Sequence, residues 1–89
     1  MTVPAESVVV YPSDFPIKIM GTMQDAFAQT MLELVTLHDP DFDASKMTMR
    51  PSTNGTYLAL TVTVRATSRE QLDNLYRALS SHPMVKVVL

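Results

Sequence analysis

The sequence predicts an α+β domain in the order β-α-β-β-α-β, and three observations carry that prediction. Residues 57–66 alternate apolar and polar side chains over their whole length, which marks a half-buried strand. Residues 23–38 and 72–79 instead repeat apolar residues at helical spacing, each giving a helix with one buried stripe. Asn54-Gly55 stands between two alternating segments, a strong short hairpin signal.

Residues 1–13 read as a lead-in and 14–89 as a single domain. Pro4 and Pro12 bracket Ser7-Val8-Val9-Val10-Tyr11, an extra edge strand or a cover for apolar surface. Three valines and a tyrosine are costly to leave in water, so some of them should pack. Residues 15–21 form the first strand, with Phe15, Ile17 and Ile19 on one face and Lys18 and Met20 on the other. Gly21 ends it. Thr22 then opens a helix, with Asp25 three residues on completing a capping box. Met23, Phe27, Met31, Leu34 and His38 line that helix over about four turns. It ends near His38, because Asp39 precedes Pro40 and is pushed out of helical geometry.

Residues 39–43 are a connection. Residues 46–50 alternate again, with Met47 and Met49 facing the core and Lys46, Thr48 and Arg50 facing away. If Asn54 and Gly55 form the turn, Met49 falls opposite Leu60 and Met47 opposite Val62. Turn and apolar pattern then agree. Pro51 cannot donate to a ladder, which makes this strand an edge. Either Thr67 with Glu70 or Ser68 with Gln71 caps the second helix. Leu72, Leu75, Tyr76 and Leu79 are its buried face, Pro83 ends it, and residues 84–89 are the last strand. Two right-handed crossovers joined by a hairpin give a ferredoxin-like fold. It has a four-stranded antiparallel sheet, central first and third strands, and two helices on one face. The other face is left open.

Composition narrows the function. Eighty-nine residues suffice for one modest core, and 46% apolar against 18% charged residues fits a folded globule. No apolar run approaches the roughly eighteen residues of a membrane span. The start carries no basic n-region, so no secretory signal is expected and the cytoplasm is the expected location. Absence of cysteine excludes disulfides, thiol catalysis and cysteine-based metal sites. The seven methionines read as adaptable core filler.

A net charge of −2 predicts no nucleic-acid binding by itself, yet the charges sort by element. The predicted strands hold Lys18, Lys46, Arg50, Arg65 and Lys86 and none of the nine acids. Each base alternates with the apolar face, so all five should project from the open side of the sheet. Such lysines and arginines can simply solubilise an open sheet and discourage edge pairing. They can equally face an anionic partner, either a small carboxylate or phosphate metabolite or an acidic protein surface. Single-stranded RNA needs stacking aromatics on the central strands, and this face offers only Tyr57. Nucleic acid is therefore the weaker option.

No motif for catalysis emerges. His38 and His82 sit at predicted helix ends, where a basic group suits the dipole. Asp39, Asp41 and Asp43 have the spacing that opens a calcium loop. Ala44 and Arg50 stand where that loop needs glycine and glutamate, so the segment reads as solvated. A phosphate-holding arginine is absent from the loop after the first strand, Gly21-Thr22-Met23-Gln24. Neither an enzyme nor a cofactor is expected.

Phe15-Pro16-Ile17-Lys18-Ile19-Met20-Gly21, Pro51-Ser52 with Gly55 and Tyr57, Ala66-Thr67, Leu75-Tyr76 and Val85-Lys86-Val87-Val88-Leu89 together resemble the YbeD-like family of small bacterial proteins. The resemblance spans residues 11–89 through order and spacing rather than one motif. It implies the ferredoxin-like fold, similar to ACT-type regulatory domains. It also implies a link to lipoate metabolism, since relatives are often encoded beside lipoate-transfer enzymes. It further implies a non-catalytic regulatory module that senses an anionic metabolite or modulates a partner enzyme. By the same analogy two copies would pair edge to edge as a homodimer, and Gly21, Thr22 and Met23 would line a ligand loop. The other reading is an adaptor using Lys18, Arg50, Tyr57, Arg65 and Lys86 to dock a protein.

Overall fold

A computed structural model of the chain describes residues 10–89. Its elements are β1 (Ser13–Thr22), α1 (Phe27–His38), a short 3-10 turn (Ala44–Lys46), β2 (Met47–Pro51), β3 (Tyr57–Ala66), α2 (Arg69–Ser80) and β4 (Val85–Val88). The sheet order is β2-β3-β1-β4, and every neighbouring pair is antiparallel. β1 and β3 are thus central and β2 and β4 the edges, with the two helices covering one face. This is the ferredoxin-like arrangement.

The core follows from the alternation. Leu58, Leu60, Val62, Val64 and Ala66 of β3 point the same way as Ile17 and Ile19 of β1 and are all buried. The helices close over them with Phe27, Met31 and Val35 from α1 and Leu72, Leu75 and Leu79 from α2, while Phe42 plugs the connection. Tyr11 of the lead-in packs against this core and Val10 is exposed. The rest of the valine-rich lead-in, up to Val9, lies outside the described residues.

Several expectations change. β1 runs on through Gly21 and Thr22, because β3 pairs with all ten of its residues, ending with Thr22 opposite Tyr57. Thr22 therefore caps nothing. α1 begins at Phe27, its N-cap Ala26 has no side-chain hydrogen bond, and the helix is 12 residues long. Met23 lies outside it, and its amide donates to the Thr56 carbonyl at 2.9 Å. Lys46 belongs to the 3-10 turn rather than to β2. Met49 is opposite Leu60 as the register required. At the sheet edge, however, it stays 60% exposed.

The hairpin keeps the predicted register with a different turn. Gly55 N–H donates to the Ser52 carbonyl at 3.0 Å, which puts Thr53 and Asn54 at the centre. Among the described residues only Gly55 takes a positive φ, +75°, so this is not the turn with two left-handed residues. The Asn54 side-chain oxygen instead accepts from the Thr56 amide and the Ser52 hydroxyl. Of the two capping options for α2, Ser68 with Gln71 forms: Ser68 Oγ accepts from Gln71 N–H at 3.1 Å.

Candidate functional site

The uncovered face of the sheet gathers the residues that the sequence singles out, but not all of them in one place. Strand pairing fixes one row across the sheet. Arg50 of β2 lies opposite Ala59 of β3, Ala59 opposite Met20 of β1, and Met20 opposite Val87 of β4. At about 4.8 Å per strand that row is about 14 Å long. Ala59 is its smallest side chain, flanked along β3 by Tyr57 and Thr61. A hollow of about 300 Å³ therefore opens above Ala59, walled by Lys18, Met20, Arg50, Tyr57 and the hairpin residues Ser52 and Thr53.

A second hollow of about 360 Å³ adjoins it, lined by Met20, Tyr57, Lys86 and Val87. Its origin is an irregularity in the β1–β4 ladder. Gly21 pairs with Val85 while Met20 pairs with Val87, so Lys86 is an extra residue on β4. Such a bulge re-aims side chains. Here it lets two consecutive residues, Lys86 and Val87, line one hollow. Simple alternation predicts Val87 on the covered side, and the bulge overturns that. The two hollows share Met20 and Tyr57.

Arg65 lies apart, at the far end of β3. Asp14 of β1 is directly opposite, and its carboxylate sits 3.3 Å from Arg65 Nη1. Among the described residues the strands therefore do contain one acid, and it pairs with the base that it faces. Among the described residues no carboxylate lies within ion-pair distance of Lys18, Arg50 or Lys86. Lys18, Arg50 and Lys86 thus gather at the end near the hairpin and β4.

The loop residues Gly21, Thr22 and Met23 are positioned by packing and pairing. Gly21 is buried on the covered side, where an added Cβ would meet the Met84 carbonyl and come within 2.6 Å of the Phe27 ring. Thr22 is a paired strand residue and the Met23 amide is engaged. The helix itself begins further along the chain, after Ala26, and its first amide, that of Phe27, donates to the Gln24 carbonyl at 3.1 Å.

Two polar residues gain roles that the sequence did not signal. Asp39 is 3% exposed, and its Oδ2 accepts from the Arg65 amide at 2.9 Å. β2 pairs with β3 only as far as Val62, so the carboxylate serves β3 where the partner strand has ended. Gln71 completes this edge. Its side chain donates to the carbonyls of Arg65 and His38 and accepts from the Thr67 amide. Elsewhere, the Ser45 hydroxyl and amide both donate to Asp43 and hold its carboxyl below the ordinary range. His82 Nδ1 accepts from the Met84 amide at 3.1 Å. Among the described residues no three metal-ligating side chains come together, and no helix is long and apolar enough to cross a membrane.

Comparison with known proteins adds three findings. The family described as "Protein of unknown function (DUF493)" matches residues 6–89. The chain is 67% identical to the UPF0250 protein RSc0326 of Ralstonia nicotianae over 88 residues, covering 99% of this chain and 91% of that protein. It is also 65% identical to a UPF0250 protein of a Janthinobacterium species, covering 97% and 94%. Among solved structures, protein HP0495 from H. pylori superposes with a TM-score of 0.75 at 17% identity, covering 100% of this chain and 97% of that one. The ACT domain from GTP pyrophosphokinase of Chlorobium tepidum superposes with a TM-score of 0.65 at 14% identity, covering 86% and 97%. These last two likenesses concern the fold alone.

Proposed function

The chain belongs to the DUF493 family, with UPF0250 proteins as close relatives and an ACT-like fold, and from that premise we propose a non-catalytic binding and regulatory module. Its open sheet face takes an anionic ligand. The observation that supports this most directly is the hollow above Ala59, where Lys18 and Arg50 stand with Ser52 and Thr53 around a floor kept low by one small side chain. Lysine and arginine in a concave site attract carboxylates and phosphates. The size of the hollow is at the lower end for a small-molecule site. That the Chlorobium domain of the same fold comes from an enzyme supports a regulatory setting, by analogy of fold.

A thermal-shift screen of phosphates and carboxylates at low salt tests this reading. At least one class should raise the melting temperature as mass action requires. The gain should shrink with added salt and be smaller in Arg50→Gln. No stabilisation by any anion at low salt would count against it.

A second reading draws on Met20, Tyr57, Val87 and Leu89, which are large apolar side chains left exposed. Tyrosine, methionine and arginine are enriched where proteins dock, so the same surface suits an acidic patch on a partner enzyme. Reversing the charge of Lys18, Arg50 and Lys86 together should then abolish capture of that partner without lowering the melting temperature.

A further inference from the structure

Resting on the anion-binding reading of the open face, we propose that the ligand is an amphiphilic small molecule. Its carboxylate or phosphate head occupies the hollow above Ala59, and its apolar limb lies across the neighbouring hollow. The two hollows differ in chemistry. The first brings two cations and the hydroxyl residues Ser52 and Thr53 to one floor. The second offers Met20, Tyr57 and Val87, with Lys86 as its one charged residue. Met20 and Tyr57 line both, so the two hollows adjoin in one trough, and a single molecule lying over these two side chains can reach from one into the other.

The exposure of these residues sharpens the inference. Met20, Tyr57 and Val87 are 36%, 45% and 43% exposed. A merely solvated sheet face would carry polar side chains at such positions. Here the β4 bulge turns a valine outward beside a methionine and a tyrosine. A bare anion in the first hollow would leave all three in water. A limb across them removes apolar area from water on both partners, and about 50 Å² corresponds to about tenfold in affinity. The tyrosine ring and the methionine sulfur both suit an aromatic limb.

Calorimetric and NMR titrations of the purified chain separate the two claims. The probes are acetate and inorganic phosphate, then 3-phenylpropionate and hexanoate, then the neutral 3-phenylpropanol. The limb-bearing carboxylates should bind at least about tenfold tighter than acetate and shift the methyl signals of Met20 and Val87. The alcohol should bind more weakly than the matching carboxylate. Val87→Thr, nearly the same shape, should shrink the advantage of the limb-bearing carboxylates over acetate. Ala59→Leu should fill the first hollow and abolish binding of every anion, with the melting temperature showing that the variant is folded. Acetate or phosphate binding as tightly as the limb-bearing carboxylates would overturn the amphiphilic ligand and leave the anion-binding reading standing. Limb-bearing carboxylates that leave Met20 and Val87 unshifted would overturn it in the same way. No binding of any anion would overturn both.

Discussion

The two faces of β3 obey one alternation and end in opposite environments. On the covered face, five consecutive inward residues are all buried, and each is constrained by shape. On the open face, Tyr57, Ala59, Thr61, Thr63 and Arg65 vary in size and polarity, and their neighbours across the sheet decide what each can do. The covered face teaches how the chain folds. The open face divides further, into a cationic trough at one end and a neutralised ion pair at the other. Adjacent residues of one strand should therefore respond in unlike ways to substitution.

The largest contrast is between Leu60 and Ala59. Leu60 is fully buried, and Leu60→Ala should cost about 2–5 kcal/mol from lost burial and the cavity that remains. Denaturant unfolding measures this directly. Ala59→Leu, one residue along, adds volume toward solvent and should leave the unfolding midpoint nearly unchanged. A large loss there would show that the open face is packed rather than free.

Gly21 tests the same distinction on β1. Its neighbour Met20 faces the trough, while Gly21 lies beneath Phe27 with no room for a methyl group. Gly21→Ala should cost about 1–3 kcal/mol through overpacking, and a ligand effect beyond this loss would return Gly21 to the binding site. Asp39→Ala should cost a similar or smaller amount, about 1–3 kcal/mol, by leaving the Arg65 amide without a partner. Faster hydrogen exchange at Arg65 would locate the damage at the end of β3.

These residues also show what the sequence could carry. Period-2 alternation named every buried position of β3, and helical spacing named Leu72, Leu75 and Leu79. Both patterns are set locally, by the pleat and by the turn of a helix. The hairpin register was legible too, because turn and apolar pattern had to agree. Three features escaped because each depends on another part of the chain. Pairing with Tyr57 extended β1 through Thr22 against a local capping signal. The Lys86 bulge exists only relative to β1. Asp39 is buried with its carboxylate on the amide of Arg65, 26 residues away. At the candidate site the charged residues could be read from the sequence. The low floor at Ala59 and the outward turn of Val87 could not, since both arise from neighbours on other strands.

The covered side also gives a smaller effect, visible in pH. Tyr76 of α2 is half-buried against the covered core, and burial raises its phenol above the ordinary value of 10.0. The neutral phenol is thus favoured by the folded state. Its contribution to stability is complete below the unfolded value. It declines as pH rises past 10.0 toward the raised folded value. An absorbance titration should show Tyr76 ionising above pH 10.0, and Tyr76→Phe should remove that step and flatten the loss of stability above pH 10.0. A late step that survives in Tyr76→Phe would belong to another tyrosine and overturn the assignment.

The smallest expected effect carries the most weight for the open face. Arg65 and Arg50 both project from it, yet Arg65 faces Asp14 across the ladder while Arg50 walls the trough. The Arg65–Asp14 pair is exposed on both sides, and exposed pairs contribute little. Arg65→Ala should therefore change stability by no more than about 0.5 kcal/mol. Since Asp14 already offsets its charge, the substitution should also leave anion binding and its salt dependence as they were. Arg50→Ala should be equally mild in unfolding, but should weaken anion binding and reduce the salt dependence. The two alanine variants, measured side by side, thus ask whether position on the face matters or only charge. Equal losses of binding would mean that the whole face acts as one cationic surface. A loss confined to Arg50→Ala would mean that the trough is the site, and that the opposing carboxylate has removed Arg65 from it.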